Sequence, residues 1–168
     1  MQFLAVFAIC NMLTDPDFKK YNWLDRGSDE RQYCAPGIDL PVATIQRSTY
    51  GKYPEYHTSL DNLENVVTPE GLNGGYWAIR RALEILENNH FYKVNVFGEP
   101  QMGKRGLYST LSTKRSRTDE RIIMDFLSYC DGKNSLLDIA DKIRSPCWKL
   151  FEVVEILLKE KLITRMSN

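Results

Sequence analysis

The octapeptide EYHTSLDN, residues 55–62, carries one of only two histidines in the chain. A zinc ligand needs a neutral imidazole held in one orientation, with a carboxylate or carbonyl accepting its other ring N–H. His57 offers the imidazole, and Glu55 and Asp61 stand close along the chain. On composition alone, a single histidine in a tyrosine-rich loop reads more simply as structural. GSDERQYCAPGIDLP, residues 27–41, is dense in charge yet bounded by turn formers. It reads either as a solvated loop or as a pocket wall in which Ser28, Asp29 and Arg31 hydrogen-bond a substrate. Cys34 with His57 would make a thiol nucleophile and its base, but nothing in the surrounding sequence activates the thiol. GEPQMGK, residues 98–104, matches a phosphate-loop pattern. Arg105 stands where Ser or Thr should meet magnesium, and RGLYSTLST is a poor helix start, so the match reads as accidental.

These segments sit in 168 residues, room for one ordinary domain or two small ones. With 43% hydrophobic and 26% charged residues, the chain reads as globular and able to bury a core. Lys+Arg and Asp+Glu both number 22, so no global field draws it to nucleic acid or an anionic membrane. The four cysteines are widely spaced, without a C-x-x-C pair. Cys130 and Cys147 fall in helical patterns as small buried hydrophobes, and a reducing cytoplasm is the compartment expected. MQFLAVFAICNML lacks the basic start and cleavage site of a signal peptide and is too short to span a bilayer. It reads as an element of a buried core.

Residues 14–69 are punctuated by prolines and glycines around short extended pieces such as LPVATIQ. In PEGLNGGYWAIRRALEILENN, Leu72, Tyr76, Ile79, Leu83 and Leu86 recur at three or four and predict an amphipathic helix. KVNVF predicts a strand, followed by an irregular connection ending in a basic, polar linker near 112–118. The last fifty residues read as a separate module. RIIMDFLSYCDG predicts a helix stopped at Asp131–Gly132. Ser135 and Asp138 predict a capping box on SLLDIADKIR. Ser145 and Pro146 predict the start of SPCWKLFEVVEILLKEKL, and LITRM reads as a strand. Three helices and a strand outline a winged helix-turn-helix. Between residues 115 and 168, ten Lys/Arg face nine Asp/Glu. The last helix opens on Pro146, Cys147, Trp148 and Lys149 and carries Glu152 and Glu155, poor equipment for phosphate and base contacts. Protein–protein packing is favoured over DNA.

The segments GSDERQYCAPGIDLPVATIQRSTYGKYPEYHTSLDN and GEPQMGKRGLY, with the terminal winged helix, resemble the C-terminal part of a family of bacterial zinc-aminopeptidase-like proteins. That family is related to the co-catalytic zinc exopeptidases, and the similarity runs from about residue 14 onward. The resemblance implies that HT-x-x-D supplies the last zinc-binding imidazole, His57. Asp61 falls at the acidic position behind it, and Ser28 and Asp29 match an SD pair on the active-site rim. GSDER stands where many exopeptidases have SDH, which leaves the roles of Glu30 and Arg31 open. Such enzymes hold two zinc ions with further His, Asp and Glu ligands and a Glu base. This sequence has no H-x-D, no paired Glu–Glu and no suitable second histidine before His57, and His90 ends a helix. One imidazole cannot hold a catalytic zinc that needs three or more protein ligands.

The expected fold class is therefore α/β. Residues 1–112 form the C-terminal part of an aminopeptidase-like catalytic domain with a truncated mixed sheet, and residues 118–168 form a winged helix. The expected function is that of a fragment of a zinc-dependent aminopeptidase-like hydrolase, silent alone, without a catalytic residue of its own. Zinc is expected in the complete protein but not bound stably by this chain. A peptide or small amide is the expected substrate, and a missing N-terminal half or another copy the expected partner. The rival reading is a non-catalytic interaction module built on the winged helix, with a DNA-binding regulator behind it.

Overall fold

The computed structural model describes residues 19, 21–25, 27–42, 44–105 and 114–166. They divide into two compact units, one ending at Leu83 and the other running from Glu84 to Asn168. This division lies well upstream of the linker expected near 112–118; residues 114–118 belong instead to the helix Lys114–Tyr129, and 112–113 fall outside the described residues. The apolar start MQFLAVF lies outside them too.

The second unit carries a conventional core. Strand β1, Phe91–Val94, is central in a three-stranded antiparallel sheet ordered β2-β1-β3, with β2 at Asp131–Ser135 and β3 at Ile163–Arg165. Helix α3, Lys114–Tyr129, packs on α4, Leu136–Lys142, and on α5, Lys149–Lys159. Three helices and three strands make the winged-helix outline. The strand expected at KVNVF, residues 93–97, instead starts two residues earlier and spans Phe91–Val94, sharing only Lys93 and Val94 with that expectation. Apolar periodicity explains the packing. Ile123, Phe126 and Leu127 of α3 are buried, as are Leu150, Val153, Val154 and Leu157 of α5, each set lying on one helical face. Ser135 caps α4 with the expected box, its Oγ accepting from the Asp138 N–H while the Asp138 carboxylate accepts from the Ser135 N–H.

Three local expectations are corrected. Helix α5 begins at Lys149, not at Pro146: the Lys149 and Leu150 N–H groups donate to the Pro146 and Cys147 carbonyls three residues back, so the chain first makes tight turns. Residues 145–148 then turn before α5 starts. Cys130 and Cys147 are buried at junctions beside helices rather than inside them, and burial pushes both thiols up to about 12. Asp131–Gly132 does stop α3, but it also opens β2. The Asp131 carboxylate accepts the Lys133 and Asn134 N–H groups at 2.8 and 3.0 Å, with Gly132 at φ 83°.

In the first unit, α1 spans Glu30–Tyr33, and α2, Pro69–Asn88, runs on across the division into the second. Its described residues contain no strand, so the truncated mixed sheet is not found among them. The extended piece after α1 bonds locally instead: the Leu40 N–H donates to the Tyr33 carbonyl, and the Cys34 thiol lies 3.2 Å from the Leu40 carbonyl. Helix α2 is amphipathic, as its spacing predicts, but Leu72, Tyr76, Ile79, Leu83 and Leu86 are exposed. Its buried side chains are Ala82 and Ile85, near the C-terminal end, while Gly71, Gly75 and Ala78 are half-buried.

Helices α4 and α5 end in paired backbone bonds of the Schellman type, with Arg144 and Lys161 in the left-handed position at φ 53° and 56°. Glycine adopts that conformation without steric cost. Lys161→Gly is therefore expected to raise stability by about 0.5–1 kcal/mol, the relieved strain less the added unfolded-state entropy. Phe126→Ala, which empties a fully buried site, is expected to cost about 3–5 kcal/mol. Urea unfolding of each variant checks both signs.

Candidate functional site

The turn at Gly27–Ser28 is organised by the carboxylate three residues on. Glu30 Oε1 accepts the Gly27 N–H at 2.8 Å and the Ser28 N–H at 3.1 Å, and the Tyr50 hydroxyl lies 3.1 Å from the same oxygen. That hydroxyl is also 3.0 Å from the Asp25 carbonyl, so its single proton serves two acceptors. The two backbone N–H groups dominate in holding Glu30 down to about 2, because hydrogen bonds to the ionised form favour it. Tyr50 is raised, by desolvation first and by Glu30 second. Gly27 lets the Tyr50 ring come close: a Cβ there would fall inside contact distance and force the ring to shift.

From Tyr50 the contacts continue through an aromatic cluster. The Tyr50 and Tyr56 rings are 6.4 Å apart, and Tyr53 meets Tyr56 edge-on at 5.6 Å. The His57 ring lies nearly parallel on Tyr56, 4.1 Å between centroids and 13° between planes. His57 itself is exposed and has φ 59°, a left-handed conformation that costs a non-glycine residue roughly 1–2 kcal/mol. The ring stack and the next turn offset that cost: Thr58 donates both its N–H and its hydroxyl to the Glu55 carbonyl, at 3.0 and 2.8 Å. Asp61 accepts from the Tyr53 hydroxyl at 2.9 Å, which raises Tyr53. It thus braces the histidine loop through Tyr53 and Tyr56.

The loop of Ser28, Asp29 and Arg31 and the loop of His57 are therefore linked through Glu30, Tyr50 and Tyr56. Ser28, Asp29 and Arg31 are exposed, and the Asp29 side chain makes no capping bond to α1. Glu30 and the three tyrosines are the residues whose importance the sequence reading missed. The tyrosine spacing in YGKYPEY was a visible signal, but the closure between Glu30 and Tyr50 was not. The Cys34 thiol is directed at the carbonyls of Leu40 and Val42, 3.2 and 3.5 Å away, and His57 stacks on Tyr56, so the thiol–imidazole pairing is not formed. His90 is used structurally: its Nδ1 lies 3.1 Å from an Arg165 guanidinium nitrogen, and burial lowers its pKa. Lys104 sits in the short 3₁₀ turn Gly103–Arg105, and residues 106–113, where a phosphate loop would need its helix, lie outside the described residues.

Among the described residues, no three His, Cys, Asp or Glu side chains come together in a way that could hold a metal ion. These residues alone do not fit a zinc centre; His57 could be one donor within a larger set. No helix of the described residues is long and apolar enough to cross a membrane.

The chain belongs to the family described as a domain of unknown function, DUF4910, whose model matches residues 5–89. A winged helix-turn-helix family matches residues 90–165. The chain is 45% identical over 118 residues to a Clostridium acetobutylicum protein whose name assigns it to polysaccharide biosynthesis with an aminopeptidase-like domain. That match covers 69% of this chain and 27% of the relative. A crystal structure from C. acetobutylicum, named as a peptidase, superposes on 98% of this chain with a TM-score of 0.80 and 33% identity. The match takes in 36% of that longer chain. The present chain thus corresponds to about a third of the peptidase-like proteins it resembles.

The Glu30 interaction carries a pH signature. A carboxyl lowered in the folded state stabilises it fully above its ordinary value of 4.5, and that contribution is lost as pH falls toward about 2. Glu30→Gln is expected to lower the urea midpoint at pH 7, with the deficit closing between about pH 4.5 and 2. A deficit unchanged across that range would show that the charge on Glu30 is not what holds the turn.

Proposed function

We propose that this chain forms part of a zinc-dependent, aminopeptidase-like hydrolase, in which it supplies one metal-binding imidazole and a stretch of the substrate rim. The observation that carries the reading is the 0.80 superposition of nearly the whole chain on a structure named as a peptidase. Within it, the exposed and braced ring of His57 is the group suited to be a donor. The remaining donors and the general base belong to the larger part of the fold that the relatives possess. Ser28, Asp29 and Arg31 are assigned to substrate contact through the exposed loop pinned by Glu30. Asp61 steadies the imidazole loop through Tyr53. The substrate class is a peptide or small amide, and the isolated chain is inactive. Three described cysteines are free thiols, in keeping with a reducing, cytoplasmic location.

The winged helix supports a second role as a packing module. Exposed Lys149, Glu152, Glu155 and Lys159 on α5 mix both signs of charge, which suits a protein surface better than a phosphate backbone.

The test compares the 168-residue chain with a form extended by the rest of the peptidase-like fold, assaying bound zinc and release of amino acid from aminoacyl anilides. The extended form is expected to hold zinc and hydrolyse. His57→Ala in that form should lose more than the roughly 10–100-fold in metal affinity typical of supporting residues. Stoichiometric zinc and hydrolysis in the short chain, or an extended His57→Ala form that keeps both, would contradict the proposal.

A further inference from the structure

The two faces of α2 are used differently. Ala82 and Ile85 near its end are buried, whereas Leu72, Tyr76, Ile79 and Leu83 remain 60%, 56%, 54% and 57% exposed. Their spacing of four, three and four puts them in one stripe on a helix about 30 Å long. The shortage of burial extends beyond the helix. Between residues 19 and 83, Ala82 is the only buried side chain among those described, while Leu24 and Leu63 are 83% and 76% exposed. An apolar stripe of this length, beside described residues that bury so little, marks an interaction surface rather than an ordinary scatter of exposed side chains.

We infer that the Leu72–Tyr76–Ile79–Leu83 stripe of α2 is the seat of the part of the peptidase-like fold that this chain does not contain. The inference rests on the proposed function for the identity of the occupant. The extent of the match names that occupant: 98% of this chain superposes on only 36% of the peptidase-like chain, so the same helix in that protein belongs to a body nearly three times as long. A second copy of this chain is the competing occupant, because the four–three spacing would also suit helix pairing between two copies.

The experiment places this chain in a chimera, in exchange for the matching third of the C. acetobutylicum peptidase-like protein. Ile79→Cys is the probe, and Glu70→Cys, exposed on the opposite face of α2, is the control. Maleimide labelling is followed site by site by peptide mass spectrometry, since Cys34 is partly accessible. The Ile79 position is expected to react quickly in the short chain at every concentration and at least about 100-fold more slowly in the chimera, with Glu70→Cys fast in both. Equal reactivity of the Ile79 position in both contexts overturns the inference. Protection that rises with the concentration of the short chain overturns it in favour of self-association. Zinc content and hydrolysis of the chimera separate this inference from the functional reading. A protected but silent chimera upholds the docking surface and fails the hydrolase proposal, and an active chimera with a reactive stripe does the reverse.

Discussion

Burial is the constraint from which the rest follows, and it is shared unequally. The second unit has a contiguous interior in which Phe126, Ile139, Leu150, Leu157 and Leu162 are almost wholly removed from water. Each such side chain contributes about 1.5–3 kcal/mol by transfer alone. The described part of the first unit buries Ala82. It is organised by polar and aromatic contacts, chiefly the Glu30 carboxylate gathering two backbone N–H groups and the Tyr50 hydroxyl. Exposed hydrogen bonds of this kind are each worth little net, so they set the shape of the loops rather than anchoring them in depth.

That distribution suits a candidate site made of surface loops. His57 owes its position to a run of neighbours: Glu30 fixes Tyr50, Tyr50 and Tyr53 flank Tyr56, and Tyr56 supports the imidazole. A left-handed histidine backbone persists only when its surroundings determine it, which points to a function for the ring. The same loops expose apolar side chains that an isolated domain would bury. Both features agree with a chain that spans about a third of the peptidase-like proteins it matches.

What could be read in the sequence followed the range of the interactions. The capping box at Ser135, the long helix from Pro69 and the strand near Lys93 were legible because each rests on contacts within a few residues. The start of α5 was misread because residues 146–150 first close tight three-residue turns, which a cap followed by proline does not distinguish from an α-helical start. The exposure of the apolar face of α2 was not legible, for a deeper reason. Periodicity shows that a helix has an apolar stripe but not what covers it, and here Leu72, Tyr76, Ile79 and Leu83 stay exposed. His57 and Asp61 were visible as residue types. Their connection runs through Tyr53 and Tyr56, and the link to Ser28 runs through a bond between residues 30 and 50, which no local pattern encodes.

The second unit stands on its own core, whereas the described part of the first is proposed to dock on a further body. Native-state hydrogen exchange of the 168-residue chain tests that contrast most directly. Slow exchange, at the level of global unfolding, is expected for core amides such as Ile139 and Leu157, and fast exchange limited by local opening for amides between Gly27 and Val67. Protection of the Glu30 and His57 loops equal to that of the second unit would contradict it.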